Sequence, residues 1–285
     1  MRTGIKPLVT ALAGKLDEDK LKLVPRSYDL VGSGKKIVAI VEISEKLKDE
    51  KKLIGEVILK INKNVKSVLS KLSGRRGAYR LKDYELVAGM DDTEVMHREY
   101  GYNLKLDPRK VFFSPRELTE RQRIASQVKA DETVLVMFSG AGPYMIAIAK
   151  KQPNVNKVYG IEINPDAHRY AEENVRINKL SHKIVLINGD VREVCPRLKM
   201  KFDRIAMPLS TEGYKYLDLA ISCLKDGGII HFYHISPEKD LFIESEKLVE
   251  DVGKKLKRRI EFVNKIKVLP YGTRYWKICL DIKTE

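Results

Sequence analysis

An α/β protein built on a doubly wound parallel sheet, preceded by a smaller α+β unit, is the fold the sequence predicts. Three observations carry it. From Thr133 onward, apolar runs of strand length alternate with helical stretches, as a parallel sheet with helical crossovers requires. The first run, Thr133 to Met137, ends in Phe138-Ser139-Gly140-Ala141-Gly142-Pro143-Tyr144, whose glycines let the backbone turn sharply and pass close to a ligand. About twenty residues later, Val158-Tyr159-Gly160-Ile161-Glu162 ends on a carboxylate, the position from which an acid accepts both hydroxyls of a ribose.

The elements follow in order. Residues 1–25 read as a short, basic, partly helical lead-in. Residues 26–110 read as the small α+β unit: a strand at Ile37 to Ile43, a lysine-rich helix at Leu53 to Ile61, a strand or helix around Val65 to Leu69, and a strand at Leu81 to Val87. The turn Ser73-Gly74-Arg75-Arg76-Gly77 puts two guanidiniums on a glycine-flexed loop, which suits phosphate contact as well as it suits a solvated hairpin. Residues 111–285 form the larger unit. Ser114, Pro115 and Glu117 match a Ser-x-x-Glu capping box with proline at the first helical position, so a helix is expected through Glu120, Arg121 and Arg123 to about Val128. Strands are expected at 133–137, 157–161, 184–187, 203–207, 228–233, 260–267 and 275–282. The last two form an antiparallel hairpin turning through Leu269-Pro270-Tyr271-Gly272.

Ligands of such sheets lie beyond the carboxyl ends of the strands. A dinucleotide fingerprint would place a third glycine where Met145 stands, and no lysine followed by Ser or Thr marks a phosphate loop. One ribose and no phosphate fits S-adenosylmethionine. Its expected contacts are Phe138, Ser139, Gly140, Gly142 and Pro143, Glu162 with Ile163, and Asp190 with Val191 after the third strand. Asp190 suits the adenine amino group, or equally a post-strand turn. Pro208, in Pro208-Leu209-Ser210 after the fourth strand, faces the acceptor.

The apolar fraction of 43% marks a globular chain, and no apolar run approaches the roughly 20 residues that span a bilayer. Cys195, Cys223 and Cys279 fit neither a disulfide framework nor a zinc site, which points to a reducing cytoplasm. Residues three apart on a strand face opposite sides, so His231-x-x-His234 is no metal pair and no metal is expected. Lys and Arg outnumber Asp and Glu by 54 to 39, a net charge of +15, which favours a polyanionic partner. Tyr275 and Trp276 read as core.

Several motifs together resemble the archaeal and eukaryotic tRNA (guanine-37, N1) methyltransferase family and its relatives in wyosine synthesis. They are Ser27-Tyr28-Asp29-Leu30-Val31-Gly32, Leu53-Ile54-Gly55-Glu56, Ala88-Gly89 and His97-Arg98-Glu99-Tyr100-Gly101. Phe113-Ser114-Pro115-Arg116, Thr119-Glu120-Arg121, Met137 to Pro143 and Gly227-Gly228-Ile229-Ile230-His231 continue the match. The resemblance implies a class I methyltransferase, Rossmann-like fold, S-adenosylmethionine as cofactor and a tRNA anticodon loop as partner, with the protein expected as a monomer. Guanine N1 carries a proton at neutral pH, so its lone pair is available only after a base removes that proton. The resemblance places this base on Glu120, and on Arg80 the guanidinium that stabilises charge on O6. Phe112 and Arg116 fall on substrate-contacting positions, and Arg75 and Arg76 of the glycine-flexed loop are expected substrate contacts as well.

Three departures stand out. Pro208-Leu209-Ser210 replaces the family's Asn-Leu-Pro, Phe112 keeps a stacking face but lacks a tyrosine hydroxyl, and the family's separate N-terminal domain is expected to be absent or reduced to 1–25. The rival readings are aminocarboxypropyl transfer in wyosine synthesis and methylation of the tricyclic 4-demethylwyosine precursor. A non-catalytic RNA-binding protein on the same fold is a third.

Overall fold

The computed structural model describes residues 6–74, 77, 79 and 81–285 of the chain. Arg75, Arg76 and Arg80 lie outside the described residues. The chain divides into two compact units, 1–115 and 116–285.

The first unit opens with two short helices, α1 (Lys6–Leu12) and α2 (Glu18–Leu23), followed by β1 (Asp29–Ser33), β2 (Lys36–Val41), α3 (Lys51–Ile61), β3 (Val65–Lys71) and β4 (Tyr84–Gly89). The four strands lie in the order β1-β2-β3-β4. β2 and β3 are parallel, with α3 as their crossover, while the outer pairs are antiparallel. Apolar residues of α3 (Ile54, Val57, Ile58) pack on Ala39, Val41 and Val68, and the lead-in helices add Leu8 and Leu12 to the same core. A hairpin of β5 (Val95–Glu99) and β6 (Tyr102–Leu106) follows. His97 Nδ1 accepts from the Gly32 amide at 3.0 Å, and the Tyr102 hydroxyl donates to buried Glu99 at 2.8 Å. Two of the sequence motifs of this unit are therefore joined to each other as structural parts.

The second unit alternates as expected: α4 (Leu118–Gln127), β7 (Thr133–Met137), α5 (Pro143–Lys151), β8 (Lys157–Glu162), α6 (Pro165–Ile177), β9 (Ile184–Asn188), α7 (Val191–Leu198), β10 (Phe202–Met207), α8 (Leu217–Cys223), β11 (Leu224–Pro237), α9 (Ile243–Lys255), β12 (Ile260–Gly272) and β13 (Tyr275–Thr284). Its seven strands lie in the order β12-β13-β11-β10-β7-β8-β9. β13 runs antiparallel to both of its neighbours, and the pairings among β7 to β11 are parallel. Strand order reverses between β7 and β10, the switch point beside which open α/β sheets bind ligands. Side-chain alternation sends Leu135 and Met137 into one core with residues of α7, α8 and α9.

Two details differ from expectation. Pro115 opens a 3-10 turn, Pro115–Glu117, and the α-helix begins only at Leu118. The terminal hairpin continues pairing through Leu269, Pro270 and Gly272 by register shifts, so its turn falls at residues 273–274, where Arg274 has φ 60°. The irregularities around Pro270 let the ladder continue past a residue that cannot donate.

Candidate active site

Register fixes which residues share the ligand edge of the second unit. Met137 pairs with Ile161, Glu162 with Asn188, Ala206 with Val136, and Met207 with Phe232. Phe138, Glu162, Asn188, Pro208 and Tyr233 therefore share one level, with Ile163 and Gly189 one residue beyond it.

The loop after β7 is built by left-handed backbone at Gly140 (φ 55°) and Gly142 (φ 88°), with Pro143 in the first turn of α5. Ser139 N donates to Ile161 O at 2.9 Å and Asn174 Nδ2 to Ala141 O at 2.9 Å, which seats the loop on β8 and α6. Met145 occupies the third fingerprint position because the small residue is on the strand instead. A Cβ on Gly160 would lie 2.0 Å from Met145 Sδ.

Glu162 is 8% exposed. Its Oε2 accepts from Gly140 N at 2.7 Å and its Oε1 from Asn164 N at 2.8 Å. Burial pushes the carboxyl up, against backbone N–H groups of Asn164, Gly140 and Ile163 that favour its ionised form. A carboxylate offers about four acceptor sites, so Glu162 retains capacity for ribose hydroxyls. Ser139 Oγ is buried without a hydrogen-bond partner among the described residues, and Ile163 presents an apolar side chain that is 37% exposed. Asp190 Oδ1 caps α7 by accepting from Arg192 N at 2.8 Å, so its turn role is present and Oδ2 lies outside that cap. The Val191 side chain is buried in the core. Phe138 packs edge-on to Tyr216, with ring centroids 5.0 Å apart. An orphan hydroxyl, a carboxylate with spare lone pairs and an open apolar side chain fit an adenosyl group.

The inner face of α4 carries a second constellation. Glu120 is 6% exposed. Arg123, three residues on, grips it with Nε on Oε2 and Nη2 on Oε1, both at 2.8 Å, and the Tyr233 hydroxyl donates to Oε1 at 2.6 Å. Behind Arg123 lies Asp281, which accepts from Nη1 at 2.6 Å. Burial alone would raise the Asp281 carboxyl, but hydrogen bonds from His231 and Arg123 and the charge of Arg123 hold it far below the usual carboxylate range. Glu117, one turn before Glu120, accepts from buried Lys277 Nζ at 2.8 Å and from the Tyr144 hydroxyl at 3.4 Å. Lys277 Nζ also lies 3.5 Å from Pro208 O, tying this helix to the acceptor loop.

The remaining expectations distribute as follows. Arg116 belongs to the second unit and Phe112, partly exposed, to the first. His231 meets Asp281 and Arg204, whereas His234 meets Ser245 of α9 on the opposite face. His231, Cys279 and Asp281 bring ligand-type atoms within 4.8 Å of one another, but guanidiniums of Arg123 and Arg204 bond to this group. The expectation of core positions for Tyr275 and Trp276 is corrected for Tyr275, which pairs with Pro237 at the last position of the β11–β13 ladder and is 49% exposed there. Trp276 is half-buried, donates Nε1 to Glu238 at 3.1 Å and lies under Lys267 Nζ at 3.6 Å. Tyr233, Asp281 and Lys277 were missed by sequence reasoning, since nothing local marks them. Arg123 had a signal in its i, i+3 spacing from Glu120.

Comparison with known proteins agrees with this architecture. The TRM5/TYW2 methyltransferase domain matches residues 95–261, and the TYW2 N-terminal domain matches residues 8–93. The tRNA (guanine(37)-N(1))-methyltransferase Trm5b of Pyrococcus abyssi is 39% identical over 264 residues, 93% of this chain and 76% of that protein. The tRNA(Phe) (4-demethylwyosine(37)-C(7)) aminocarboxypropyltransferase of Pyrococcus horikoshii is 33% identical over 285 residues, 99% of each chain. The structure of an aTrm5 bound to tRNALeu superposes with a TM-score of 0.85 at 34% identity, covering 98% of this chain and 78% of that one. Among the described residues no helix is long and apolar enough to cross a membrane. The chain belongs to the TRM5/TYW2 methyltransferase family, enzymes of tRNA modification that use S-adenosylmethionine.

Proposed function

We propose that this enzyme methylates N1 of guanine 37, next to the anticodon of tRNA. The observation that carries the reading is Glu120, a buried carboxylate held by Tyr233 at the level of the acceptor loop. When bound, S-adenosylmethionine supplies an electrophilic methyl group on a sulfonium. Glu162, Asp190, Ser139 and the loop of Gly140 and Gly142 would hold its adenosyl part. Glu120 takes the N1 proton, an effect worth on the order of 10²–10⁴-fold. Arg80, by resemblance, stabilises the charge that develops on O6. Phe112 offers a stacking face to the extruded base, and Arg116, Arg75 and Arg76 supply phosphate contacts, in keeping with the +15 net charge. Removing the base from its stack costs a few kcal/mol, least in a loop.

Pro208-Leu209-Ser210 is compatible with this chemistry. An amide acceptor matters most when an exocyclic amine is alkylated, because the amine's conjugated lone pair must be localised. A ring nitrogen freed of its proton carries an in-plane pair already.

Wyosine-pathway transfer at the same position is a second reading. It is favoured by the mutual 99% coverage with the aminocarboxypropyltransferase relative and by the TYW2 type of N-terminal domain. Purified protein incubated with unmodified tRNA transcripts and labelled cofactor decides between them. The methyl reading expects S-adenosylhomocysteine and 1-methylguanosine at position 37 by mass spectrometry. Methylthioadenosine, or turnover only on tRNA carrying 4-demethylwyosine, would replace it with the second reading.

A further inference from the structure

We propose that Arg123, braced from behind by Asp281 and His231, is a positioning residue for the proton transfer, and that it leaves Oε2 of Glu120 as the atom that receives the proton. The inference rests on Glu120 being the base.

The assignment follows from counting acceptor sites. Each carboxylate oxygen takes about two donors. Among the described residues Oε1 already holds two donors, Arg123 Nη2 at 2.8 Å and the Tyr233 hydroxyl at 2.6 Å, whereas Oε2 holds one, Arg123 Nε at 2.8 Å. The guanidinium that makes this fork is itself clamped. Nη1 donates to Asp281 Oδ2 at 2.6 Å and Nη2 to Oδ1 at 3.2 Å. Asp281 Oδ1 meets His231 Nδ1 at 2.6 Å, and His231 Nε2 meets Arg204 Nη1 at 2.8 Å. A guanidinium can only donate, so Nε2 accepts and the imidazole proton sits on Nδ1, pointing at Asp281. Glu132 closes the far end on Arg204 Nε at 2.8 Å. An exposed i, i+3 ion pair contributes little because both side chains must be ordered. Here neighbours from β13, β11 and β10 have already ordered the arginine.

The groups facing Glu120 are Arg123 on its own helix, Tyr233 from β11, Asp281 and Cys279 from β13 behind Arg123, and Tyr144 from α5. Burial pushes the Tyr144, Tyr233 and Cys279 protons to stay on, and burial keeps His231 neutral. Among the described residues Arg123 is the cation that hydrogen-bonds Glu120, while Lys277 on Glu117 and buried Arg121 are further cations of the same cluster. In the step itself the N1–H bond breaks as an O–H bond forms at Oε2. The pair left on N1 forms the bond to the methyl carbon, and the sulfur–methyl pair stays on sulfur, which becomes a neutral thioether. Glu120 keeps both donors on Oε1 throughout, and the guanidinium favours later release of the proton to water.

The test is a set of pH–rate profiles with cofactor affinity measured separately by calorimetry. Arg123→Gln should lower kcat about 10- to 100-fold and move its acid limb to higher pH. The KM for tRNA and the affinity for S-adenosylmethionine should stay within about twofold. Arg123→Lys keeps a charge but not the fork, so it should lower kcat with little movement of the limb. In a Glu120→Gln background Arg123→Gln should have no further effect. If Arg123→Gln does not fold, Asp281→Asn and Arg123→Lys carry the same comparison. An unchanged limb and kcat in these variants, or a loss confined to cofactor affinity, overturns the proposal while Glu120 remains the base. A fully active Glu120→Gln enzyme removes the base assignment itself.

Discussion

Glu162 and Glu120 are both buried acids of the second unit, and they are held in opposite ways. Glu162 takes neutral backbone N–H donors from Gly140 and Asn164, 22 and 2 residues away in sequence. Glu120 takes a guanidinium three residues away and a phenol 113 residues away. Neutral donors leave burial as the dominant influence on Glu162, whose carboxyl is pushed up. That suits an acceptor for uncharged hydroxyls. A group that must accept a proton at a defined atom needs its orientation settled beforehand, and a braced fork of donors does this. The second unit therefore carries one acid fixed by local loop geometry, proposed to bind the cofactor, and one on α4 fixed by tertiary packing, proposed as the base.

The sharpest way to break this contrast is Glu120→Gln. Turnover should fall about 10²–10⁴-fold, while calorimetry with S-adenosylmethionine and filter binding with tRNA should match the parent. A comparable loss of cofactor affinity would merge the two acids into one site. Glu162→Gln should do the reverse, weakening S-adenosylmethionine about 10- to 100-fold, the scale of a charge-assisted hydrogen bond of roughly 1.5–3 kcal/mol. Unaltered calorimetric affinity would take Glu162 out of the cofactor site. Gly160→Ala probes the packing beneath the loop. With Met145 Sδ 2.0 Å from the added carbon, it should cost about 1–3 kcal/mol in urea unfolding, and an unchanged midpoint would mean that Met145 moves aside freely.

The smallest effect concerns Asp281, which holds Arg123 behind the proposed base. Its folded value lies below its unfolded one, so its contribution to stability is complete above the ordinary carboxylate range near pH 4. That contribution is lost as pH falls toward the folded value. Asp281→Asn should flatten the dependence of the thermal midpoint between about pH 2 and pH 6. Parallel curves for the two proteins would show that Asp281 is not the group responsible.

Much of the proposed cofactor half of the site could be read from the sequence because its parts are neighbours along the chain. Gly140, Gly142 and Glu162 belong to one strand–turn–helix–strand unit, and a turn that demands left-handed backbone leaves a glycine as its mark. The same locality explains why β7 to β10 fall within a residue of their expected bounds, whereas β11 and β12, whose lengths depend on pairing with β13, extend several residues further. The catalytic half was legible only in part. The resemblance assigned Glu120 a role, but Tyr233 and Asp281 carry no local mark, since a polar residue on an apolar strand looks alike whether it is paired or not. Tyr275 was misjudged for a related reason. Its apolar surroundings in sequence suggested burial, but it sits at the very end of the ladder, opposite Pro237 and Gly272, where its side chain is exposed.

Sequence alone determined the order of strands and helices, the glycine turn and the acid that follows it, and a charge suited to a nucleic-acid partner, because each is a property of a short segment or of the whole composition. Only the tertiary structure decided which oxygen of Glu120 is left open. That depends on Arg123, Asp281 and His231 meeting across α4, β13 and β11, an arrangement that exists once the sheet has closed and is written in no single stretch of the chain.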